Sequence, residues 1–574
     1  MKSETKKSLE RIFHQLAGHP FLSITAMCIL LFFFGFCAKE NLTTFSYVYA
    51  GVVCAIIYGL LLIIGKLCRS GKESLIVFVA AMVFTAGGLF LMRNFDNSPA
   101  LLLWLSLFLL AIFCALMWMT DTLSDRNFII LLVMAGIMLR FMYDLYTGYR
   151  DRQHDVGYFN WTWGHANYIE HWYKNGLTLP DANQIKIWQY YHPPFHHWLM
   201  AILLRILTSV GMEYTKACEA LQILPLLYSS LIMGVSYRIF RYVKLRGLPL
   251  VIAMAIVCFH PTFVLMGGFF NNDILCTLFM MLSIYAALRW YQQPTLRRII
   301  PVALCVGLGM MTKLSCWMVA PAIAILFLYV FVKNIKSWLK FIGQFAVFGV
   351  ISVPLGLWWQ VRDLIAFKMP LTYVPFLNVN DPQYCGNMSV TKRLFDFGNG
   401  QLSFVYDAFT DPNFGAPYNE YNPTVALMKT SLFGEGQNAI SDIHFPQIAK
   451  TGPILFWIGV ILALVCFVSF FAMMLSKKSG LDGFHRVFFA VFALTMLGSY
   501  YLYAFQFPFT CSMNIRFCVP LIPMFAMGLG LMLRRLSGDS QPQKIFRYSV
   551  YALTAAFAVM TCVVYSQVSF PKIG

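Results

Sequence analysis

The sequence predicts an all-α polytopic membrane protein, and three observations lead to that fold class. Of the 574 residues, 59% are hydrophobic and only 12% are charged, with a mean hydropathy of +0.66. Apolar runs of about 20 residues recur along the chain, and each is long enough to cross a bilayer as a helix. Basic residues concentrate in the short loops between these runs, as they do on the cytoplasmic side of membrane proteins.

About fifteen membrane-spanning helices are predicted from these apolar runs. They cover approximately residues 21–38, 45–65, 74–92, 99–119, 127–143, 219–240, 248–268, 274–291, 299–312, 315–332, 341–359, 453–475, 486–505, 515–533 and 547–568. Basic residues before the first run and after the second place the N-terminus in the cytoplasm, and the C-terminus then lies outside. The first run has no small-residue cleavage site and is interpreted as a retained span.

The apolar run Phe195–Val210 is interpreted as a re-entrant or juxtamembrane helix. It is short, and Arg205 lies near one end. If it crossed the bilayer, the basic loops at 238–246, 289–298, 333–340, 476–486 and 534–547 would all face outward, against the usual distribution of positive charge. If it only enters the membrane surface, all these loops face the cytoplasm.

This topology divides the chain into four parts. Residues 1–126 form a four-span N-terminal extension. Residues 127–359 form a core that contains a large outer loop at 144–218. Residues 360–452 are rich in Asn, Pro, Tyr and Asp and predict a small outer subdomain, and residues 453–574 supply the last spans.

The net charge of +18 does not indicate a nucleic-acid-binding protein, because the basic residues follow the membrane topology. The 15 cysteines lie mostly inside apolar runs and form no CxxC pair. Neither a zinc site nor a disulfide framework is therefore predicted, although Cys385 and Cys511 both fall in loops that are predicted to lie outside.

Asp155 lies in the segment RQHDVGYF, directly after His154 and before an aromatic stretch that contains Trp161 and Trp163. Aromatic residues of this kind favour the membrane interface. A carboxylate there could accept a proton from a hydroxyl group or hold a divalent cation. The alternative is a solvated loop acid that caps a helix.

The segment Tyr190–Phe195 (YYHPPF) begins the re-entrant helix, since proline is favoured in the first turn. His192 and His196 are four residues apart, which could place two metal ligands on one helix face. A residue before proline avoids helical geometry, however, so the two histidines need not share a face. The alternative is a pair of interfacial histidines packed among aromatic side chains.

Asn271, Asn272 and Asp273 lie together between two long apolar runs. Polar side chains at the boundary of a span need hydrogen-bond partners. They are either solvated in a loop or supply a second carboxylate to the cleft that holds Asp155. In the second case the two acids could divide the roles of base and metal ligand.

Two basic residues are predicted at the outer ends of spans. Lys313 interrupts the apolar segment VALCVGLGMMTKLSCWMVAP, and Arg516 lies in NIRFCVPLIP. Each could bind a phosphate group. The alternatives are a snorkelling side chain for Lys313 and an ion pair with a loop acid for Arg516.

The order of these motifs resembles the polyprenyl-phosphate-sugar-dependent glycosyltransferases of the GT-C superfamily, in the branch of protein O-mannosyltransferases and lipid A aminoarabinose transferases. The similarity extends over about residues 127–535. It implies a GT-C-like helical bundle in which the first outer loop carries the catalytic acid, Asp155, and the next carries a second acid, Asp273. It also implies that Lys313 and Arg516 bind the donor phosphate. Many relatives have adjacent Asp-Glu acids in the first loop, whereas Asp155 is flanked by His154 and Val156.

The resemblance implies a membrane glycosyltransferase that moves a hexose or pentose from a polyprenyl-phosphate donor, with inversion, on the non-cytoplasmic face. The acceptor would be a protein, a lipid or a polymer, and His154, His192 and Asn272 would line the cleft. The one cofactor that the sequence leaves as a possibility is a divalent cation such as Mg²⁺ or Mn²⁺, held by Asp155 and Asp273. In a bacterium the protein would lie in the plasma membrane.

Three alternatives remain from the sequence. One is an oligosaccharide or polymer ligase with the same fold. The second is a lipid-linked substrate transporter or flippase, which would place polar residues near the bilayer midplane. The third is a non-catalytic scaffold that binds a partner through residues 360–452. The concentration of ionisable residues near one face favours the enzyme over the last two.

Overall fold

The computed structural model describes residues 21, 24–29, 31, 98–121, 123–150, 155–375, 377–398, 402, 405, 420–434 and 447–567. The described residues are predominantly helical and contain no strand, only an isolated bridge between Tyr384 and Phe509. This confirms the predicted all-α fold. The spans predicted at 21–38, 45–65 and 74–92 lie largely or wholly outside the described residues.

The helices are numbered here in chain order. They are α1 Ser98–Met119, α2 Asp125–Tyr146, α3 Gly164–Asn175, α4 Phe195–Ser209, α5 Tyr214–Ala220, α6 Ile223–Tyr242, α7 Gly247–Phe259, α8 Pro261–Leu265, α9 Asp273–Gln292, α10 Leu296–Thr312, α11 Ala320–Lys333, α12 Trp338–Phe367, α13 Val390–Phe395, α14 Pro423–Phe433, α15 Ile448–Leu475, α16 Gly483–Gln506, α17 Leu521–Arg535 and α18 Gln541–Gln567.

Within the described residues, nine helical segments are long and apolar enough to cross a membrane. A tenth is formed if the segment Thr510–Phe517 and α17 are taken together, although they are bent by 52°. The protein is therefore an integral, multi-pass membrane protein. Each predicted span from 99–119 onward corresponds to a helix or a broken pair of helices, because a single apolar run satisfies its backbone hydrogen bonds internally.

One predicted span, at 248–268, is interrupted. α7 ends at Phe259, and His260 takes an extended conformation before Pro261, as expected for a residue that precedes proline. The carbonyl groups of Val257 and Cys258 are left at the break, and the buried guanidinium of Arg140 in α2 donates to both, at 3.2 and 2.7 Å. This charged residue inside a span therefore caps a broken helix.

The helix ends gather into two groups. At one end, here called the basic end, Tyr242 contacts His485 at 2.8 Å, and Arg534 donates to the carbonyls of Val243 and Ser479. Tyr291 and Tyr329 pack against Phe484 at the same end. The five basic loops between the predicted spans therefore lie at the same end of the bundle, as the positive-inside rule requires.

The opposite end, here called the site end, carries the chain between α2 and α6. Gln222, just before α6, donates to the carbonyl of Thr147, just after α2, at 3.0 Å. The intervening chain, including α4, therefore leaves and returns to the same end of the bundle. That path agrees with the interpretation of Phe195–Val210 as a helix that does not cross.

The segment predicted as a small outer subdomain contributes α13 and α14 among its described residues, and α14 packs into the bundle. Pro423 and Leu432 accept hydrogen bonds from Tyr500 and Tyr565, both at 2.7 Å. Nearby, Lys429 and Glu420 form a buried ion pair at 2.8 Å. α12 also continues to Phe367, beyond the predicted boundary at 359.

Candidate active site

An ion pair between distant parts of the chain forms the centre of the site. The Nη1 atom of Arg516 lies 3.0 Å from Oδ2 of Asp155, and the two side chains are 11% and 18% exposed. The residues are 361 positions apart in the sequence. The first outer loop and the segment before α17 therefore meet at this point.

Asp155 is held by the beginning of α3. The backbone N–H groups of His165 and Ala166 donate to the carbonyls of Asp155 and Val156, at 3.2 and 2.8 Å. Gly164 makes this approach possible, with φ +95° and no room for a side chain, since a Cβ there would lie 2.4 Å from the Val156 oxygen. Glycine adopts this conformation at little cost.

Arg516 lies in a short 3₁₀ turn, Ile515–Phe517. The side chain of Asn514 caps the turn by accepting a hydrogen bond from the Arg516 N–H at 2.8 Å. The hydroxyl of Thr430 in α14 accepts from the N–H of Ile515 at 3.0 Å. The prolines at 520 and 523 start the next helix, so that the guanidinium lies at the bend of the broken span.

A second ion pair joins the ends of two helices. Nζ of Lys313 lies 2.5 Å from Oδ1 of Asp273, and both side chains are largely buried. Asp273 is the first residue of α9 and Lys313 follows the last residue of α10, which are the positions where helix dipoles favour an acid and a base, respectively. The amide of Asn272 ties the two ends together by donating to the Thr312 carbonyl at 2.8 Å.

The two ion pairs meet at Phe517. The Arg516 guanidinium lies 5.2 Å and the Lys313 ammonium 5.4 Å from the centre of its ring. Both cations are within the range at which an aromatic ring attracts positive charge. The structure therefore brings together four of the predicted site residues, Asp155, Asp273, Lys313 and Arg516.

His192 is buried close to these charges. Its ring stacks on that of His165 with a centroid distance of 6.0 Å. Burial lowers the pKa of His192 well below its ordinary value of 6.5, and the positive charge of Lys313 lowers it further. The imidazole is therefore neutral at physiological pH.

His192 and His196 do not form the metal pair that their spacing allowed. Nε2 of His196 donates to the carbonyl of Phe270 at 2.9 Å, whereas His192 stacks with His165. Within the described ranges, no three His, Cys, Asp or Glu side chains are close enough together to hold a metal ion. His154 lies outside those ranges.

Asp155 and Asp273 fit a divalent cation poorly as they are placed. Each carboxylate already has a cationic side chain within 3.0 Å, and a metal would have to displace that side chain or be repelled by it.

A cavity of about 560 Å³ opens above the Asp155–Arg516 pair. Asp155 is the one acidic side chain among the described residues that line it. The other lining residues are mostly aromatic and apolar: Trp163, Lys186, Ile187, Trp188, Gln189, Tyr191, Val374, Pro375, Leu377, Gln383, Tyr503, Phe507, Phe509, Cys511, Ser512, Arg516 and Phe517. A mainly apolar cavity with a few converging polar groups is typical of a ligand site.

The residues that line the cavity differ from those predicted from the sequence. His192, Asn272, Asp273 and Lys313 do not line the cavity, whereas Gln189 and Tyr503 do. Tyr503 lies inside an apolar span and Gln189 between two aromatic residues, so that nothing in the local sequence distinguished them. No disulfide joins Cys385 and Cys511.

Residues 191–359 match the family model described as dolichyl-phosphate-mannose-protein mannosyltransferase. The match confirms the predicted resemblance to the GT-C glycosyltransferases. No curated protein matches the chain. The matched segment contains His192, Asn272, Asp273 and Lys313. Asp155 precedes this segment and Arg516 follows it in the sequence, and the fold brings both close to it.

Taken with the membrane-spanning helices, the match supports a membrane glycosyltransferase of the GT-C type. Such an enzyme implies a lipid-linked sugar donor and a membrane setting.

Proposed function

We propose that the protein transfers one sugar from a polyprenyl-phosphate donor to a hydroxyl group of an acceptor, with inversion at the anomeric carbon. The observation that carries the proposal is the Asp155–Arg516 ion pair at the base of an aromatic cavity. A base and a phosphate-binding cation are the two groups that this reaction needs, and here they lie side by side.

Arg516 is the donor-binding residue in this proposal. Its planar guanidinium suits a two-pronged contact with phosphate oxygens. Lys313 does not line the cavity, but its ammonium lies 5.4 Å from the centre of the same Phe517 ring and adds a second positive charge near Arg516. Together they neutralise the negative charge that develops on the departing polyprenyl phosphate.

Asp155 acts as the general base. When the donor phosphate binds Arg516, the Asp155 carboxylate becomes available to accept the proton of the acceptor hydroxyl. The acceptor oxygen then forms a bond to the anomeric carbon while the bond from that carbon to the phosphate oxygen breaks. The bonding electron pair leaves with the phosphate, and the acceptor proton stays on Asp155.

Asp273 orients Lys313 rather than contacting the reacting atoms. It does not line the cavity, and its carboxylate is 2.5 Å from the Lys313 ammonium. Asn272 fixes the same two helix ends. His192 remains neutral beneath the site and supports the loop that carries Tyr191.

The number of acids at the cavity supports the proposed inversion. A double displacement with retention uses one carboxylate as nucleophile and another as acid and base. Among the described cavity residues only Asp155 carries a carboxylate, which favours a single displacement.

The reaction would take place on the non-cytoplasmic side of the membrane, which is the plasma membrane if the protein is bacterial. The basic loops lie at the end opposite to the site, and basic loops usually face the cytoplasm. The donor's lipid tail would remain in the bilayer beside the site end.

The proposal is tested with purified, folded protein and a panel of radiolabelled polyprenyl-phosphate sugars, with crude envelope membranes as the acceptor source. We expect transfer from one donor, release of polyprenyl phosphate, and a product with inverted anomeric configuration by NMR. Turnover should persist in the presence of EDTA. Failure of every donor to react would contradict the proposal and favour a ligase or a lipid transporter.

A further inference from the structure

Gln189 is a buried polar residue that lines the cavity without using its full hydrogen-bonding capacity. The residue is only 3% exposed, and its Oε1 atom has no hydrogen-bond partner among the described residues. A buried amide oxygen without a partner is unfavourable. The same residue borders the space above Asp155 and Arg516.

The backbone of Gln189 is also unusual. Its φ is +80°, in the region that glycine favours. The neighbouring residues hold it there: Gly164 donates to the Trp188 carbonyl at 3.3 Å, and the Tyr190 hydroxyl donates to Asn167 at 2.6 Å. Strained conformations that the surroundings enforce tend to occur at functional sites.

Two tryptophans accompany Gln189 at the cavity wall. Trp163 and Trp188 both line the cavity, and their backbones are adjacent because Gly164 bonds to Trp188. Flat aromatic surfaces pack against the C–H faces of sugar rings, while an amide bonds to their hydroxyl groups. This wall therefore combines the two contacts that saccharide recognition uses.

We propose that Gln189 positions the acceptor, which is a saccharide whose ring packs on Trp163 and Trp188 and whose hydroxyl group forms a hydrogen bond with the Gln189 side-chain amide. This inference rests on the proposed function, since it assigns the acceptor side of the same cavity. It places a neighbouring acceptor hydroxyl toward Asp155. The cavity of about 560 Å³ is within the range of pockets that enclose drug-sized ligands, enough for a donor sugar and one acceptor ring.

The test compares Gln189→Leu and Gln189→Gly with the wild type. Leucine keeps the volume but removes the polar group, and glycine removes the side chain while suiting the positive φ. Gln360→Leu is the matched control, because Gln360 is also buried with an unpartnered Oε1 but does not line the cavity. Two quantities are measured: KM for acceptor and for donor during transfer, and binding of short oligosaccharides by tryptophan fluorescence without donor.

Both Gln189 variants should raise the acceptor KM and the oligosaccharide Kd by about 10-fold, the loss of one hydrogen bond to a buried group. The donor KM and the rate of donor hydrolysis by water should stay unchanged, and Gln360→Leu should behave as wild type. Unchanged acceptor KM and Kd in folded Gln189→Leu would overturn the inference.

The two proposals fail separately. If no donor reacts but oligosaccharides bind and Gln189→Leu weakens them, the saccharide site stands and the proposed reaction falls. If donors react but hydroxyl-bearing peptides bind in place of saccharides, the proposed reaction stands and the assignment of Gln189 to a saccharide is wrong. Binding of neither class to the wild type also overturns it.

Discussion

Among single residues, His192 shows how the fold controls charge next to the ion pairs. It is 9% exposed, it lies near Lys313, and its pKa is well below the ordinary 6.5. A protonated imidazole there would add a third positive charge beside Lys313 and Arg516 and would be desolvated as well. The folded protein therefore excludes the proton that the unfolded chain binds readily.

This difference predicts a pH dependence of stability. Between pH 6.5 and the lower folded-state pKa, the unfolded chain binds one more proton at His192 than the folded chain, so stability falls as the pH drops through this window. The loss approaches about 1.4 kcal/mol per pH unit for one such group. We expect His192→Gln to unfold with a smaller shift in thermal midpoint between pH 7.5 and pH 5.5 than the wild type. An equal shift in both proteins would contradict this explanation.

At the level of elements, the connection between Asp155 and α3 positions the proposed base. The loop returns on itself through Gly157 and Gly164, both with positive φ, and its carbonyls accept hydrogen bonds from the first turn of α3. The helix thus fixes the backbone of Asp155, while Arg516 fixes its side chain.

The Gly164→Ala substitution should disrupt this connection. Its Cβ would lie 2.4 Å from the Val156 carbonyl oxygen, so that the Asp155 loop must move. We expect a loss of at least 10-fold in transfer rate, because small displacements of a catalytic group are costly. The control is Gly211→Ala, which has a similar φ of +92° but no atom within 4 Å of the added Cβ.

Both alanine variants suffer the same kind of backbone strain, so both should lose some stability, about 1–3 kcal/mol. Only Gly164→Ala should lose activity in excess of the loss of folded protein. Equal activities per folded molecule would show that the loop does not position Asp155.

The breaks within spans also belong to this level, and they were only partly predictable. The His260–Pro261 step is a local signal, because a residue before proline avoids helical geometry. The capping of that break by Arg140 depends on α2 packing against α7, which local sequence does not report. The bend before α17 places Arg516 at the site. Its 52° angle could likewise be seen only in the structure.

Over the whole molecule, the described spans were predictable because each apolar run of about 20 residues can satisfy its own backbone in a bilayer. The charge of the loops predicted which helix ends lie together. Residue type and position relative to the spans indicated Asp155, Asp273, Lys313 and Arg516 as candidates, and the resemblance implied their roles.

The pairing of those residues was not predictable from one sequence. Asp155 could be matched with Arg516 only after the bundle had brought residues 361 positions apart into contact. Asp273 could be matched with Lys313, 40 positions away, only after the ends of α9 and α10 had met. The position of Phe517 beside both cations and that of Gln189 in the cavity wall likewise depend on tertiary geometry. Gln189 is recognisable by its burial, its φ and its unpaired oxygen, none of which is a property of sequence.

The proposed reaction depends on Asp155 accepting the proton of the acceptor hydroxyl. The most direct measurement is the rate of sugar transfer by Asp155→Asn beside the wild type, with Asp181→Asn as control. Asp181 is in the same loop region, but it is exposed, caps a turn through Asn183 and Gln184, and does not line the cavity. We expect a loss of at least 100-fold for folded Asp155→Asn and little change for Asp181→Asn. Full activity of folded Asp155→Asn would contradict it.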